Sequence, residues 1–192
     1  MIDATSPHSF AVFRTDLGWM GARLGKSGIK SLTFGHLTEE SAWESLEVSQ
    51  RERAFPPPAW WKDAHNLLVE YASGEPVDLT QIPVEAGEKT AFQQRVVYQL
   101  QKVPYGQVVT YRELAARAGS PGAARAVGNQ MAKNCLPLII PCHRVIGSGG
   151  KLGGFSAPQG LDMKRHLLSM EGCSPDSFAA AADSPTSSLV FT

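Results

Sequence analysis

The 192-residue sequence has few of the features that mark secreted, membrane-spanning or disordered proteins. Its three cysteines are an odd number and lie in the last third, so no disulfide framework is expected. No stretch approaches the ~20 apolar residues that span a bilayer. Residues 1–4 show no basic region leading into an apolar run, so no secretory signal is visible. These absences predict a cytoplasmic protein with no membrane partner.

The net charge is zero, but it conceals a strong split along the chain. Residues 1–88 contain 7 Lys and Arg against 13 Asp and Glu, whereas residues 89–172 contain 11 against 3. Residues 173–192 add two acidic side chains. A balance of +8 in the middle segment is typical of a nucleic-acid-binding module. Attraction between the two halves would produce the same split, so charge alone leaves both readings open.

The first half has the pattern of an α/β domain over residues 1–88. Short apolar runs at 10–13, 19–24 and 29–34 are separated by glycine-containing turns and predict three strands. The spacing Ser41 to Glu44 resembles a capping box and predicts a helix start there. Residues 77–84 predict a short edge strand. A further helix is predicted from Ala59 to Ser73, with one face formed by Trp60, Ala64, Leu67, Leu68 and Tyr71.

The second half, residues 89–172, predicts a mainly helical domain. A capping box at Thr90 opens one helix, and another is predicted from Leu161 to Glu171. Between them, helices at Tyr111–Ala118 and Ala123–Lys133 flank a glycine-containing turn, which is typical of a helix-turn-helix. Any helical hairpin would share that pattern. Residues 173–192 are rich in Ala, Ser and Pro and predict a flexible tail.

The helix predicted from Ala123 carries one long cation, Arg125, among small residues. Small side chains allow a helix backbone to approach another surface closely, with the cation protruding from it. The alternative is a buried Ala-rich helix whose arginine only reaches out to solvent.

The most informative segment is Pro141-Cys142-His143-Arg144. The flanking His143 and Arg144 create a cationic setting, which is expected to favour the thiolate of Cys142. Zinc is a poor fit, because the cysteines and His143 lack paired metal-ligand spacing. We interpret Cys135 as a small hydrophobe and Cys173 as a tail residue, neither with a chemical task.

These residues closely resemble the O6-alkylguanine-DNA alkyltransferases, also called methylated-DNA–protein-cysteine methyltransferases. The motif at 140–147 is accompanied, in the right order, by 103–111, 123–128 and Asn134, so the resemblance covers residues 90–172. Residues 1–88 match only loosely. The fold implied is a ribonuclease-H-like α/β N-terminal domain, followed by a mainly α domain with a winged-helix-like helix-turn-helix.

The resemblance implies direct-reversal repair of double-stranded DNA by a monomer that needs no cofactor and no metal. The alkyl group of O6-alkylguanine, and as a further substrate O4-alkylthymine, would pass once and irreversibly to Cys142. His143 would act as a base through a water, and Glu171 would hold its ring. Asn134 would organise the active-site turn, and Tyr111 would protonate the departing guanine.

The resemblance also implies binding roles. Arg125 would enter the base stack, and the minor groove would be faced by Tyr111, Ala123, Ala124 and Gly128. Lys164 would favour both the thiolate and a phosphate. The flipped base would be held by Met131, Pro137, Val145, Phe155 and Ser156. Phe155 replaces a tyrosine found in many relatives, and the loop 156–160 is longer than in several, which leaves the accepted alkyl size open.

Two other functions are compatible with parts of the pattern. A non-catalytic alkyltransferase-like protein would bind the lesion, but such proteins lack the acceptor cysteine. A Cys-His hydrolase using Cys142 and His143 would turn over many times and would have no need of Arg125.

Overall fold

The computed structural model describes residues 9–47, 56–85 and 87–173, which group into two units. The first unit contains the described residues up to Glu88, together with Cys135–Ile140 and Ala157–Gln159. The second contains Lys89–Asn134, Pro141–Ser156 and the residues from Gly160 onward. Two short segments of the second half of the chain therefore group with the first.

The first unit is built on a three-stranded antiparallel sheet in the order β1-β2-β3. The strands are β1 (Ser9–Thr15), β2 (Gly18–Leu24) and β3 (Ile29–His36), which confirms the three predicted runs. The turn into β2 requires glycine, because Gly18 has φ of +91° and a Cβ there would lie 2.7 Å from the carbonyl oxygen of His36.

A short helix, α1 (Glu39–Ser45), follows the sheet as predicted, but its cap was assigned wrongly. The N-cap is Thr38, whose extended backbone lets its hydroxyl accept a hydrogen bond from the amide of Ser41. Ser41 is therefore the third helical residue of the capping box and not its first member.

The second helix, α2 (Trp61–Ala72), is confirmed with slightly shorter bounds than predicted. Its inward face contains Ala64, Leu68 and Tyr71 as expected, but Trp61 is buried in place of Trp60. Trp61 packs edge-on against Phe13 of β1, with 5.6 Å between the ring centroids, which anchors the helix to the sheet.

The edge strand predicted over residues 77–84 is wrong. Leu79–Gln81 form a 3-10 turn, because the Asp78 side chain accepts a hydrogen bond from the amide of Thr80 and closes the backbone locally. Val84 alone bridges to Ile29, in parallel.

Strand β3 also holds the two segments that the first unit takes from the second half of the chain. The amide of Leu32 donates to the carbonyl oxygen of Cys135 at 2.9 Å. The side-chain amide of Gln159 donates to the carbonyl oxygen of Gly35 at 3.0 Å. Residues 138–140 are buried. Cys135 is exposed, so its interpretation as a packed hydrophobe is wrong.

The second unit is mainly helical, as predicted. Its helices are α3 (Ala91–Gln101), α4 (Tyr111–Arg117), α5 (Ala124–Ala132) and α6 (Gly160–Met170). The capping box at Thr90 is present, and α4 and α5 are joined by the predicted turn. The core of this unit includes Val96, Leu100, Leu114, Val127 and Leu167.

A small parallel ladder that the sequence did not reveal joins distant parts of the second unit. Strand β4 (Val109–Thr110) pairs with β5 (Val145–Ile146). β4 runs directly into α4, and β5 directly follows the turn Cys142–Arg144. The ladder therefore brings the start of α4 to the end of the cysteine-containing turn.

The end of α6 corrects the placement of Cys173. Its amide donates to the carbonyl oxygen of Leu168 and its side chain is buried, so it closes the helix and does not begin a tail. Residues 174–192, for which composition predicts a flexible tail, lie outside the described residues. Over the ranges given above, no helix is both long and apolar enough to cross a membrane.

Candidate active site

Cys142 opens a short 3-10 turn, Cys142–Arg144, just before β5. The residue is only 8% exposed, so the thiol is mostly shielded from water. Burial raises the pKa of the Cys142 thiol above its ordinary value. A hydrogen bond with the Asn134 side chain, the charge of Lys164 and nearby backbone amides act in the opposite direction. The resting thiol therefore keeps its proton at neutral pH and needs a base.

His143 and Glu171 form a buried pair, as the resemblance implies. Nε2 of His143 lies 2.8 Å from Oε1 of Glu171, and both side chains are fully buried. An ionised carboxylate can only accept, so Nε2 carries the proton and Nδ1 is the ring nitrogen able to take one. Burial lowers the pKa of His143, against the raising effect of Glu171, which keeps the ring neutral at neutral pH.

Arg144 does not serve the thiol, so the expectation that it favours the thiolate is wrong. Its guanidinium donates from Nε to Oε2 of Glu171 and from Nη2 to Oε1, each at 2.9 Å. Nη1 donates to the carbonyl oxygen of Val103 at 2.7 Å. A planar guanidinium matches a carboxylate with two parallel hydrogen bonds, and this pairing turns Arg144 toward Glu171.

The loop before β4 completes the surroundings of Glu171. The amide of Gly106 donates to Oε2 of Glu171 at 3.3 Å, and the hydroxyl of Tyr105 donates to the carbonyl oxygen of Met170 at 3.1 Å. Gly106 has φ of +77°, and a Cβ there would lie 2.8 Å from the Glu171 carbonyl oxygen. Glycine at this position is thus required for the loop to approach the end of α6.

Lys164 is fully buried on α6, and its predicted effect on a phosphate stays a prediction. Its ammonium donates to the carbonyl oxygens of Val145, at 2.6 Å, and Leu152. Burial lowers the pKa of Lys164 to about 8, partly offset by Cys142. Its charge lowers the pKa of Cys142, which is the direction that the resemblance implies.

Tyr111, the first residue of α4, comes close to the cysteine through the β4–β5 ladder. Burial raises the pKa of its hydroxyl, and the charge of Cys142 raises it further, so the hydroxyl holds its proton at neutral pH. A Cβ on Gly153 would lie 2.9 Å from the Tyr111 oxygen. The phenol therefore fits closely over the backbone of residue 153.

The predicted base-holding residues are spread over several environments. Met131 and Val145 are buried, Phe155 is half-buried, and Ser156 is exposed, with its hydroxyl donating to the Ala132 carbonyl oxygen at 3.4 Å. Pro137 lies in the segment that groups with the first unit. Their contacts with a base stay predictions.

Helix α5 presents the face that was predicted to meet DNA. Arg125 is exposed, while Val127 and Met131 form the buried side of the helix. Ala123, Ala124 and Gly128 are half-buried. The alternative of a buried helix with an arginine reaching out is therefore wrong, because the buried side of α5 is formed by other residues.

Comparisons with known proteins identify the family. The family model described as the DNA-binding domain of 6-O-methylguanine DNA methyltransferase matches residues 91–173. A methylated-DNA–protein-cysteine methyltransferase of Mycobacterium tuberculosis is 44% identical over 150 residues, which are 76% of this chain and 88% of the relative. The chain belongs to the methylated-DNA–protein-cysteine methyltransferase family. A family member from Methanosarcina acetivorans is 34% identical over 170 residues, covering 85% of this chain and 97% of that one.

Solved structures of the same family share the architecture. The O6-methylguanine methyltransferase of Mycobacterium tuberculosis superposes with a TM-score of 0.65 at 27% identity, covering 94% of this chain and 96% of that one. A structure of Mycobacterium tuberculosis OGT in complex with DNA gives a TM-score of 0.66 at 30% identity, covering 89% and 98%. These similarities confirm the α/β character of the fold.

The sequence did not lead us to expect that Arg144 binds the Glu171 carboxylate, although it contains a signal for this pairing. Arg144 lies in the apolar run 138–146, where a buried guanidinium needs an acidic partner. Residues 89–172 contain only Glu113, Asp162 and Glu171 as acids. Glu113 follows Thr110 at capping-box spacing and Asp162 begins a helix, which leaves Glu171.

Proposed function

We propose that this chain repairs O6-alkylguanine in double-stranded DNA by transferring the alkyl group irreversibly to Cys142. The observation that carries the proposal is the arrangement of a shielded thiol next to a neutral histidine that a buried carboxylate holds. Membership of the methyltransferase family supports the same activity. O4-alkylthymine is proposed as a further substrate of the same site.

The first step is removal of the thiol proton. His143 takes it on Nδ1 through a bridging water, and Glu171 stabilises the imidazolium through Nε2. Asn134 and Lys164 stabilise the thiolate, since both lower the pKa of Cys142. The thiolate then attacks the sp³ carbon of the alkyl group, so the S–C bond forms while the C–O6 bond breaks.

The second part is departure of the guanine. The electron pair of the broken bond goes to the base, and the Tyr111 hydroxyl donates a proton to the ring, which avoids an anionic leaving group. His143 holds the proton taken from the thiol, and Tyr111 has given one to the guanine. The protons balance when the proton held by His143 is returned to Tyr111. The thioether left on Cys142 is stable to water, and each molecule reacts once. No cofactor takes part in this scheme.

The target oxygen is buried in duplex DNA, so the nucleotide must leave the stack. We infer that α5 lies along the minor groove with its small residues and that Arg125 fills the vacated space. The exposed position of Arg125 and the +8 balance of residues 89–172 support this. We also propose the finer fold assignment: a ribonuclease-H-like first domain (1–88), a winged-helix-like second domain (89–172) and a tail. A cytoplasmic monomer is the proposed working form.

The other two functions are less favoured. A non-catalytic lesion-binding protein is disfavoured because the acceptor cysteine, Cys142, is present. A Cys-His hydrolase predicts repeated turnover, whereas the alkyltransferase stops after one event.

The deciding experiment measures the intact mass after incubation with a duplex containing O6-methylguanine. The protein should gain one methylene, on the peptide carrying Cys142, and then stop. Cys142→Ser should bind the duplex and gain nothing. Repair of several lesions per protein molecule would contradict the proposal.

The role of Arg125 is separated from the chemistry by comparing two substrates. Arg125→Ala should slow repair of the duplex by tens- to a thousandfold, because a contact with a share of a few kcal/mol in base extrusion is lost. Free O6-benzylguanine needs no extrusion and should react with the variant at nearly the parent rate. Equal losses on both substrates would show that Arg125 supports the site itself.

A further inference from the structure

The Glu171 carboxylate is shared by more donors than its predicted task requires. Oε1 accepts from Nε2 of His143 at 2.8 Å and from Nη2 of Arg144 at 2.9 Å. Oε2 accepts from Nε of Arg144 at 2.9 Å and from the amide of Gly106 at 3.3 Å. His143 therefore shares this carboxylate with Arg144 and Gly106.

The sharing has an electrostatic consequence. A guanidinium stays charged at every relevant pH, so Arg144 already neutralises the single negative charge of Glu171. Lys164 adds a second buried cation to the site. While Cys142 keeps its proton, a protonated His143 would be a third positive charge and would share a carboxylate that Arg144 already neutralises, which a buried, weakly polar environment disfavours.

We propose that Arg144 is a positioning residue that keeps His143 neutral by holding both oxygens of Glu171 and supplying its counter-charge. The inference deepens the proposed function, in which a neutral His143 accepts the thiol proton. The Arg144 clamp aims Oε1 at Nε2, and that hydrogen bond fixes the proton on Nε2. Nδ1 is thereby kept as the accepting nitrogen.

The charged and titratable groups around His143 agree with this assignment. Glu171 and Lys164 face it from α6 and its end, and Cys142 and Arg144 belong to its own turn. Burial lowers the pKa of His143, Glu171 raises it, and the charges of Arg144 and Lys164 lower it. Lys164 is bonded to carbonyl oxygens, so Arg144 is the cation that acts on the carboxylate directly. Tyr105 flanks the guanidinium from the preceding loop, 5.9 Å from the ring centroid.

The test compares Arg144→Met and Arg144→Lys with the parent, using NMR titration of the ¹³C-labelled His143 ring. Removal of the guanidinium leaves His143 as the available counter-ion of Glu171, so its midpoint should rise by about one pH unit or more. Arg144→Lys keeps the charge but loses the two-pronged geometry and should give a smaller rise. The matched control is Arg165→Met, because Arg165 pairs with Asp162 on the exposed side of α6 and should leave the midpoint unchanged.

A second readout is the pH dependence of transfer from free O6-benzylguanine. The acid limb of the rate profile should move to higher pH in Arg144→Met, since a protonated His143 cannot take the thiol proton. A merely structural role would lower the rate at every pH and leave the limb and the His143 midpoint in place, which would overturn the inference. If Arg144→Met does not fold, an unchanged midpoint in Arg144→Lys overturns it equally. A parent protein that fails to transfer would refute the proposed function, while the titration would still decide the role of Arg144.

Discussion

At the scale of single residues, the site depends on close approaches that particular side chains would block. Gly153 and Tyr111 are an example, because a Cβ on residue 153 would lie only 2.9 Å from the phenol oxygen of Tyr111. Gly153 also has φ of +69°, a conformation that costs other residues about 1–2 kcal/mol. Two separate constraints therefore fall on one glycine.

Gly153→Ala should slow alkyl transfer roughly tenfold or more, because displacement of the Tyr111 hydroxyl misplaces the proton donor. Gly149→Ala is the matched control: Gly149 also has φ of +69°, but no atom lies within 4 Å of its added Cβ. Both variants should lose similar stability in thermal unfolding, and only Gly153→Ala should lose rate. Equal rates in the two variants would mean that the phenol position does not limit transfer.

The buried pair of His143 and Glu171 makes a prediction about stability and pH. Burial would raise the pKa of Glu171, yet hydrogen bonds and charges from His143 and Arg144 hold it at about 2, below its ordinary 4.5. The unfolded chain therefore binds a proton here at higher pH than the folded protein does. That part of the stability, on the order of 3 kcal/mol, is present above pH 4.5 and is lost as the pH falls toward 2.

His143 adds to this decline at higher pH, because its pKa is lowered from 6.5 by burial and the unfolded chain protonates first. The free energy of unfolding in urea should therefore fall steadily as the pH is lowered from about 6.5. A free energy of unfolding that is equal at pH 7 and pH 4 would contradict the buried pair.

At the scale of elements, the junction between β4 and α4 links the fold to the chemistry. Thr110 ends the strand and caps the helix: its hydroxyl accepts from the amide of Glu113 at 3.1 Å, and the Glu113 carboxylate accepts from Thr110 in return. Tyr111 follows immediately. The capping box therefore fixes the direction in which α4, and with it Tyr111, leaves the ladder.

Thr110→Ala should destabilise the protein by about 1 kcal/mol and also slow transfer, because the first turn of α4 carries Tyr111. Thr90→Ala removes the equivalent capping box of α3, which lies on the surface. It should cost a similar amount of stability in urea unfolding without a change in transfer rate to a free base. Identical rates in the two variants would show that the cap does not position Tyr111.

At the scale of the whole molecule, charge is distributed unevenly between the parts of the chain. The +8 balance lies in the segment that contains α5 and the cysteine, and the −6 balance lies in residues 1–88. An electrostatic contribution to DNA binding acts through released counter-ions and is therefore sensitive to salt.

Affinity for duplex DNA should fall roughly tenfold or more over a fourfold rise in salt, as measured by fluorescence anisotropy. Transfer from free O6-benzylguanine involves no phosphate and should be insensitive to the same change. Duplex affinity that does not depend on salt would mean that the charge split serves attraction between the two halves of the chain.

The sequence by itself predicted most of the elements and the chemical identity of the site. Apolar runs and glycine turns indicated β1 to β3, and capping patterns and periodicity indicated the long helices, because these signals arise between residues that are close in the chain. Cys142 and its neighbours were identified from a contiguous motif. The errors at Ser41 and over residues 77–84 came from a hydrogen bond of one side chain, Thr38 or Asp78, to the backbone nearby.

Tertiary structure alone decided how the segments of the site meet and which acceptors Arg144 and Lys164 bind. The pairing of β4 with β5 involves two residues on each strand, too few to give a pattern, and it brings together segments more than thirty residues apart. Arg144 and Lys164 were both expected to favour the thiolate of Cys142 through their positive charge. In the structure Arg144 binds Glu171, and Lys164 binds backbone carbonyl oxygens. Sequence shows that a buried cation needs a partner, whereas only packing determines which acceptor lies within reach of it.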